Sequence, residues 1–205
     1  MTKTFGMLLF PEAEELDFVG PYEVFGMFAR HFDQDWQVVT VAQTPEPITC
    51  AKGLTVVPDR TFEDCPPLDV LLVPGGQGTR REVDNERLIA FVQEMATGCQ
   101  WVTSVCTGSF ILQRAGLLDG RKASTYWAAR DRLRSLGVDV VEQRFVHDGN
   151  VITAGGVSAG IDMALYLVGL LKGPEVARNV QKAIEYYPEP PFADEAALSA
   201  GRETA

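Results

Sequence analysis

The sequence predicts an α/β fold with a mostly parallel central sheet and helices packed on both faces. Two observations predict it. Apolar runs rich in Val, Ile, Leu and Phe alternate with stretches of helical periodicity along the whole chain. Glycine and proline punctuate the joins, with Pro21 and Pro174 at expected helix starts and Gly116 and Gly137 at expected helix ends.

Phe5–Phe10 reads as a buried strand and Pro21–Phe32 as a helix with Val24, Phe25 and Phe28 on one face. Trp36–Ala42 is the next strand. Ile48–Val57, with Gly53 in its middle, reads as a hairpin beside the sheet. Val70–Val73 is a short central strand that stops at Pro74-Gly75-Gly76, and a helix follows over about Glu86–Ala96. Trp101–Val105 is a strand and Thr107–Ala115 a helix. Ala128–Leu136 is helical. Val140–Phe145 and Val151–Thr153 are strands around the turn Asp148-Gly149-Asn150. Ala159–Leu171 and Pro174–Ile184 are the last two helices. Residues 1–192 are expected to form a single domain, and the acidic, Ala-rich residues 193–205 to fray.

Of 205 residues, 46% are hydrophobic and 22% charged, an ordinary globular composition. Lys and Arg total 18 against 28 Asp and Glu, a formal net charge of −10. So acidic a surface repels phosphate backbones and anionic bilayers, which argues against nucleic acid and membranes as partners. Met163–Leu171, among the longest apolar stretches, falls far short of the ~20 residues of a span. The opening residues turn acidic early and read as a first strand, not a signal peptide. Four cysteines without a C-x-x-C pair, and only two histidines, argue against structural zinc and for free thiols in a reducing, cytoplasmic setting.

In open parallel sheets, sites form where loops leave the carboxyl ends of strands. Cys106 follows the strand Trp101–Val105 and precedes Thr107, Gly108 and a helix, the strand–turn–helix layout of a nucleophile elbow. Free N–H groups at a helix start favour a thiolate, so the Cys106 pKa is expected below the ordinary ~8.5. A buried core cysteine is the competing reading. Cys50, Cys65 and Cys99 lack this setting and read as structural. Gly75 and Gly76 let the backbone approach a ligand and offer N–H donors to developing negative charge, beside that of Thr107. A tight turn is the bland alternative. Asp17, between the first strand and first helix, reads as a helix cap or, beside Cys106, as a proton donor and acceptor sharing a proton with the thiol. Tyr126 and Trp127 either wall a pocket or pack in the core. His31 and His147 read as surface residues, so no Cys-His dyad is evident.

These pieces together resemble the DJ-1/PfpI superfamily. The matching segments are Leu8-Leu-Phe-Pro11, Leu16-Asp-Phe-Val-Gly-Pro21, Asp69-Val-Leu-Leu-Val-Pro-Gly-Gly76, Thr103-Ser-Val-Cys-Thr-Gly108 and Ala115-Gly-Leu-Leu-Asp-Gly120. The likeness continues through Gly155-Gly-Val-Ser-Ala-Gly-Ile-Asp162 and Glu185-Tyr-Tyr-Pro-Glu-Pro-Pro-Phe192. It implies a flavodoxin-like sandwich, a reactive cysteine at an elbow and a homodimer. Within the superfamily the chain is most similar to the branch that hydrates isocyanides (isonitriles). That branch pairs an aspartate with the cysteine, here Asp17 with Cys106, and has threonine next, here Thr107. Relatives often read Thr-His-Trp where this chain has Thr125-Tyr126-Trp127.

The resemblance implies a hydro-lyase that converts a small uncharged isocyanide to an N-substituted formamide through a covalent thioimidate, with no metal or organic cofactor. The alternative is a stand-alone small-molecule sensor or redox-stress protein of the same superfamily.

Overall fold

The computed structural model describes residues 2–192, and the tail expected to fray lies outside them. Its centre is a seven-stranded sheet. β1 (Lys3–Leu9), β2 (Trp36–Ala42), β5 (Arg60–Thr61), β6 (Val70–Val73), β7 (Trp101–Val105) and β11 (Val151–Ala154) run parallel, and β10 (Phe145–Asp148) pairs antiparallel with β11. The strand order is β10-β11-β7-β6-β1-β2-β5. β3 (Ile48–Thr49) and β4 (Thr55–Val56) form the expected hairpin outside this sheet.

Strand side chains alternate between faces, and the sheet thereby sorts the core into two layers. Phe5, Met7 and Leu9 of β1 point to one layer with Val70 and Leu72 of β6. Leu8 and Phe10 point to the other with Leu71 and Val73. The first layer is covered by α1 (Glu15–His31), α6 (Ala159–Lys172) and α7 (Pro174–Ala183). Phe5 anchors it, stacking on Phe25 at 4.2 Å and on Trp36 at 4.3 Å between ring centres. The second layer is covered by α3 (Glu86–Gly98), α4 (Gly108–Arg114) and α5 (Arg130–Ser135). A one-turn helix, α2 (Thr79–Glu82), leads from β6 towards α3.

Two expectations need correction. Helix α1 begins at Glu15, not at Pro21, which lies inside it. An internal proline removes one helical hydrogen bond, here to the Asp17 carbonyl. Packing offsets that loss: a Cβ on Gly20 would meet Ile161 Cγ1 at 2.8 Å, and one on Gly160 would meet Pro21 Cγ at 3.1 Å, so the two helices touch closely at these glycines. Asp17 is consequently in the first turn of α1 and is not its cap, a position held by Glu14.

Val140–Phe145 is not one strand. β9 (Asp139–Val140) pairs with the short β8 (Lys122–Ala123), and β10 starts only at Phe145. The intervening polar residues have other partners: Glu142 bonds Arg130 and Arg134, and Arg144 bonds Asp162. The helix expected over Ala128–Leu136 starts as a 3-10 turn, Trp127–Ala129, before α5, and ends as expected at Gly137, whose φ is 87°.

Candidate active site

Four strand ends that neighbour one another in the sheet, those of β11, β7, β6 and β1, present their following loops together. Cys106 leaves β7 with φ 56°, a left-handed conformation costly for a non-glycine residue and typical of a sharp elbow. Neighbouring contacts hold it there. Its N–H donates to the Gly155 carbonyl at 2.7 Å. Its carbonyl accepts from the Thr125 hydroxyl at 2.9 Å and the Ser109 hydroxyl at 3.2 Å. Gly108 brings the first turn of α4 against the Val73 and Pro74 carbonyls, where a Cβ would collide.

Asp17 is fully buried. Its Oδ2 accepts the Gly75 N–H at 2.8 Å, while Oδ1 has no regular hydrogen-bond partner. The Cys106 side chain is close enough to hydrogen-bond this carboxyl, which slightly favours the carboxylate, while the Asp17 charge opposes ionisation of the thiol. Burial pushes Asp17 up from 3.8 to about 8, with Gly75 pulling the other way and Glu14 adding a smaller upward push. Burial likewise pushes the Cys106 thiol up to about 12, with the Asp17 charge as the next cause.

This overturns the expected low thiol pKa. The Thr107 and Val157 N–H groups and the Thr107 hydroxyl do favour the thiolate, as a helix start should. Desolvation of a residue only 7% exposed outweighs them. Burial thus favours the neutral form of both groups, a thiol beside a carboxylic acid.

The glycine loop also differs from expectation. Neither Gly75 nor Gly76 has a spare N–H: the first serves Asp17, and the second donates to Thr107 Oγ1 at 3.1 Å. Through these bonds they position side chains. A Cβ at Gly75 would lie 2.5 Å from Thr107 N and 2.9 Å from Asp17 Oδ2, so only glycine fits between these residues. Gly76, at φ 116°, bridges to Ala13 and ties this loop to the segment that leads into α1 and Asp17. Thr79 donates to the Gly76 carbonyl at 2.8 Å and lies 3.1 Å from the Thr107 hydroxyl.

The donors at the sulfur come instead from Thr107 and Val157. Sequence reasoning missed Val157, although it follows strand β11 in Gly155-Gly156-Val157, as Gly75-Gly76 follows β6. Its φ of 37° is strained for a β-branched residue. Arg144 secures this loop, its carbonyl accepting the Gly155 N–H at 2.9 Å and its guanidinium bonding Asp162 and Ser158. Thr125 and Ser109 were also missed as supports of the elbow.

Tyr126 is half-buried against the first core layer, whereas Trp127 lies outside the core. Trp127 is 67% exposed, and Tyr126 packs on Gly156. Both line an open cleft of about 990 Å³ with Phe145, the charged Arg130, Glu142 and Arg144, and Thr125 and Val157, which touch Cys106, although Cys106 itself does not line it. Cys50, Cys65 and Cys99 are free thiols that burial pushes up to about 11, 11 and 12. No helix among the described residues is long and apolar enough to cross a membrane.

A buried acid and an elbow cysteine on a parallel α/β sandwich define a class, and the family comparison agrees: the model of the DJ-1/PfpI family matches residues 3–170, and the chain belongs to that family. It is 45% identical over 192 residues to the isonitrile hydratase of Pseudomonas putida, covering 94% of this chain and 82% of that one. A ThiJ/PfpI family protein from Pseudomonas syringae superposes with a TM-score of 0.88 at 36% identity, covering 99% of this chain and 86% of the other. The HTH-type transcriptional regulator GbdR of Pseudomonas aeruginosa is 33% identical over 141 residues, 68% of this chain but 38% of the regulator.

Proposed function

We propose that this protein is an isonitrile hydratase that adds water to a small uncharged isocyanide, with Cys106 as nucleophile and Asp17 as the acid–base group. The observation that carries the reading is the buried Asp17 carboxyl, without a regular hydrogen-bond partner at Oδ1 and pushed up to about 8 by burial, beside the Cys106 thiol. The 45% identity to the Pseudomonas putida isonitrile hydratase supports the same reaction class.

The chemistry follows from that pair. The terminal carbon of an isocyanide needs both a nucleophile and a proton. The sulfur of Cys106 bonds that carbon while Asp17 gives its proton to the same carbon and takes up the thiol proton. The product is a thioimidate, Cys–S–CH=N–R, and Asp17 is again protonated. During this step the Thr107 and Val157 N–H groups and the Thr107 hydroxyl hold the charge that develops on sulfur.

Water then adds to the thioimidate carbon, with Asp17 taking a water proton and returning a proton to nitrogen. Cleavage of the C–S bond, with the hydroxyl proton relayed to sulfur, releases the N-substituted formamide and restores the thiol. The sum is one isocyanide plus one water giving one formamide. Tyr126, Trp127 and Phe145 supply the apolar wall of the adjoining cleft that an uncharged organic group requires.

The experiment is to mix the protein with an aryl isocyanide and follow formamide absorbance. Turnover that disappears in Cys106→Ala supports the reading, and undiminished turnover in that variant overturns it.

A further inference from the structure

On the second face of the sheet α2, α4 and α5 enclose a recess of about 260 Å³, separate from the aromatic cleft but sharing the segment 125–130 with it as a wall. The buried Thr79 and Thr107 contribute to its wall, and Val83, Phe110 and Leu136 give it an apolar lining. Three arginines, Arg80, Arg114 and Arg132, also line it, with Asp84 as the one carboxylate. Among the described residues these three guanidiniums have no carboxylate partner, whereas Arg81, Arg87, Arg130, Arg134 and Arg144 all do. In a chain of net charge −10, three unpaired arginines at one small apolar recess form a concentrated positive patch. Arg132 already stands over the Phe110 ring, 5.4 Å from its centre.

We propose that this recess binds a small aromatic carboxylate, its ring on the Val83–Phe110–Leu136 lining and its carboxylate accepting hydrogen bonds from the arginines. The volume lies below the ~300–1,000 Å³ of drug-sized sites, which suits a single ring. The apolar lining favours such a ligand over a bare inorganic anion, and planar guanidiniums match a carboxylate in bidentate geometry. Thr107 places the occupant against the residue that follows Cys106.

The test is fluorine NMR titration with para-fluorobenzoate, its neutral amide, and inorganic phosphate as competitor. The wild-type protein is expected to bind the benzoate saturably and the amide at least about tenfold more weakly, with little displacement by phosphate. Arg114→Glu with Arg132→Glu is expected to weaken benzoate binding by at least about tenfold for each arginine, and Cys106→Ala to leave it unchanged. If charge reversal disturbs the fold, as judged by circular dichroism, Arg114→Gln with Arg132→Gln is expected to weaken binding at least about tenfold. The proposal fails if no saturable binding occurs, if the amide or phosphate binds equally well, or if the arginine variants bind as wild type. Binding that disappears in Cys106→Ala also defeats it, because the ligand then occupies the catalytic cleft.

Discussion

Asp17 and Gly75 are 58 residues apart in sequence, yet the N–H of one donates to the carboxyl of the other at 2.8 Å. That bond fixes one carboxyl oxygen and leaves its twin, Oδ1, unpartnered in a buried setting. An unsatisfied buried polar atom costs roughly 1–3 kcal/mol, and such costs persist where function uses them. Here the open oxygen belongs to the group that, in the proposed reaction, passes a proton to substrate.

Replacement of Asp17 by Asn keeps the shape and the Gly75 bond but removes the transferable proton. In an isocyanide hydration assay the expected loss in kcat is about a hundred- to ten-thousandfold. A loss below about threefold would assign the proton to another group.

The pH dependence has a definite sign. In the folded chain the Asp17 carboxyl is raised from 3.8 to about 8. Between those values the folded state holds a proton that the unfolded state has released. Stability therefore falls as pH rises through this window, by up to about 1.4 kcal/mol per pH unit, and the contribution is gone above about 8. Denaturant unfolding at several pH values should show this slope in the wild type and lose it in Asp17→Asn. Catalysis should decline above about pH 8, as the acid is ionised.

Gly75→Ala is expected to destabilise the fold by about 1–3 kcal/mol, because the new methyl group meets the Thr107 backbone nitrogen and the Asp17 carboxyl. Since those contacts set the geometry of both site residues, activity should fall together with the thermal midpoint. A stable, fully active Gly75→Ala protein would show that the loop can yield.

Thr125→Val removes one of the two hydroxyls on the Cys106 carbonyl and is expected to cost about 1–3 kcal/mol by chemical denaturation. Thr125→Ser, which keeps the hydroxyl, should restore most of the stability. A loss in Thr125→Ser as large as that in Thr125→Val would show that the hydroxyl alone does not account for the support Thr125 gives the elbow.

The strand–helix order was legible because buried parallel strands are nearly continuous apolar runs, as in Val70–Val73. Cys106 was legible for a local reason: a strand end, small residues and a helix start lie within a few positions. Asp17 was located, but its helix was misread, since tertiary contact at Gly20, Pro21 and Gly160 overrides the usual meaning of proline. The thiol's titration was misjudged because a helix start is visible in sequence whereas desolvation is not. Val157 escaped notice because its role is a backbone N–H, which the side chain does not advertise. The recess lined by Arg80, Arg114 and Arg132 joins three helices and has no local signature.

The central claim, that Cys106 bonds the isocyanide carbon, is tested most directly by intact-protein and peptide mass spectrometry on rapidly quenched mixtures with an aryl isocyanide. The account predicts a transient gain equal to one isocyanide, localised to the peptide containing Cys106 and absent from Cys106→Ala. Formamide production at an undiminished rate without any such adduct in either protein would contradict it.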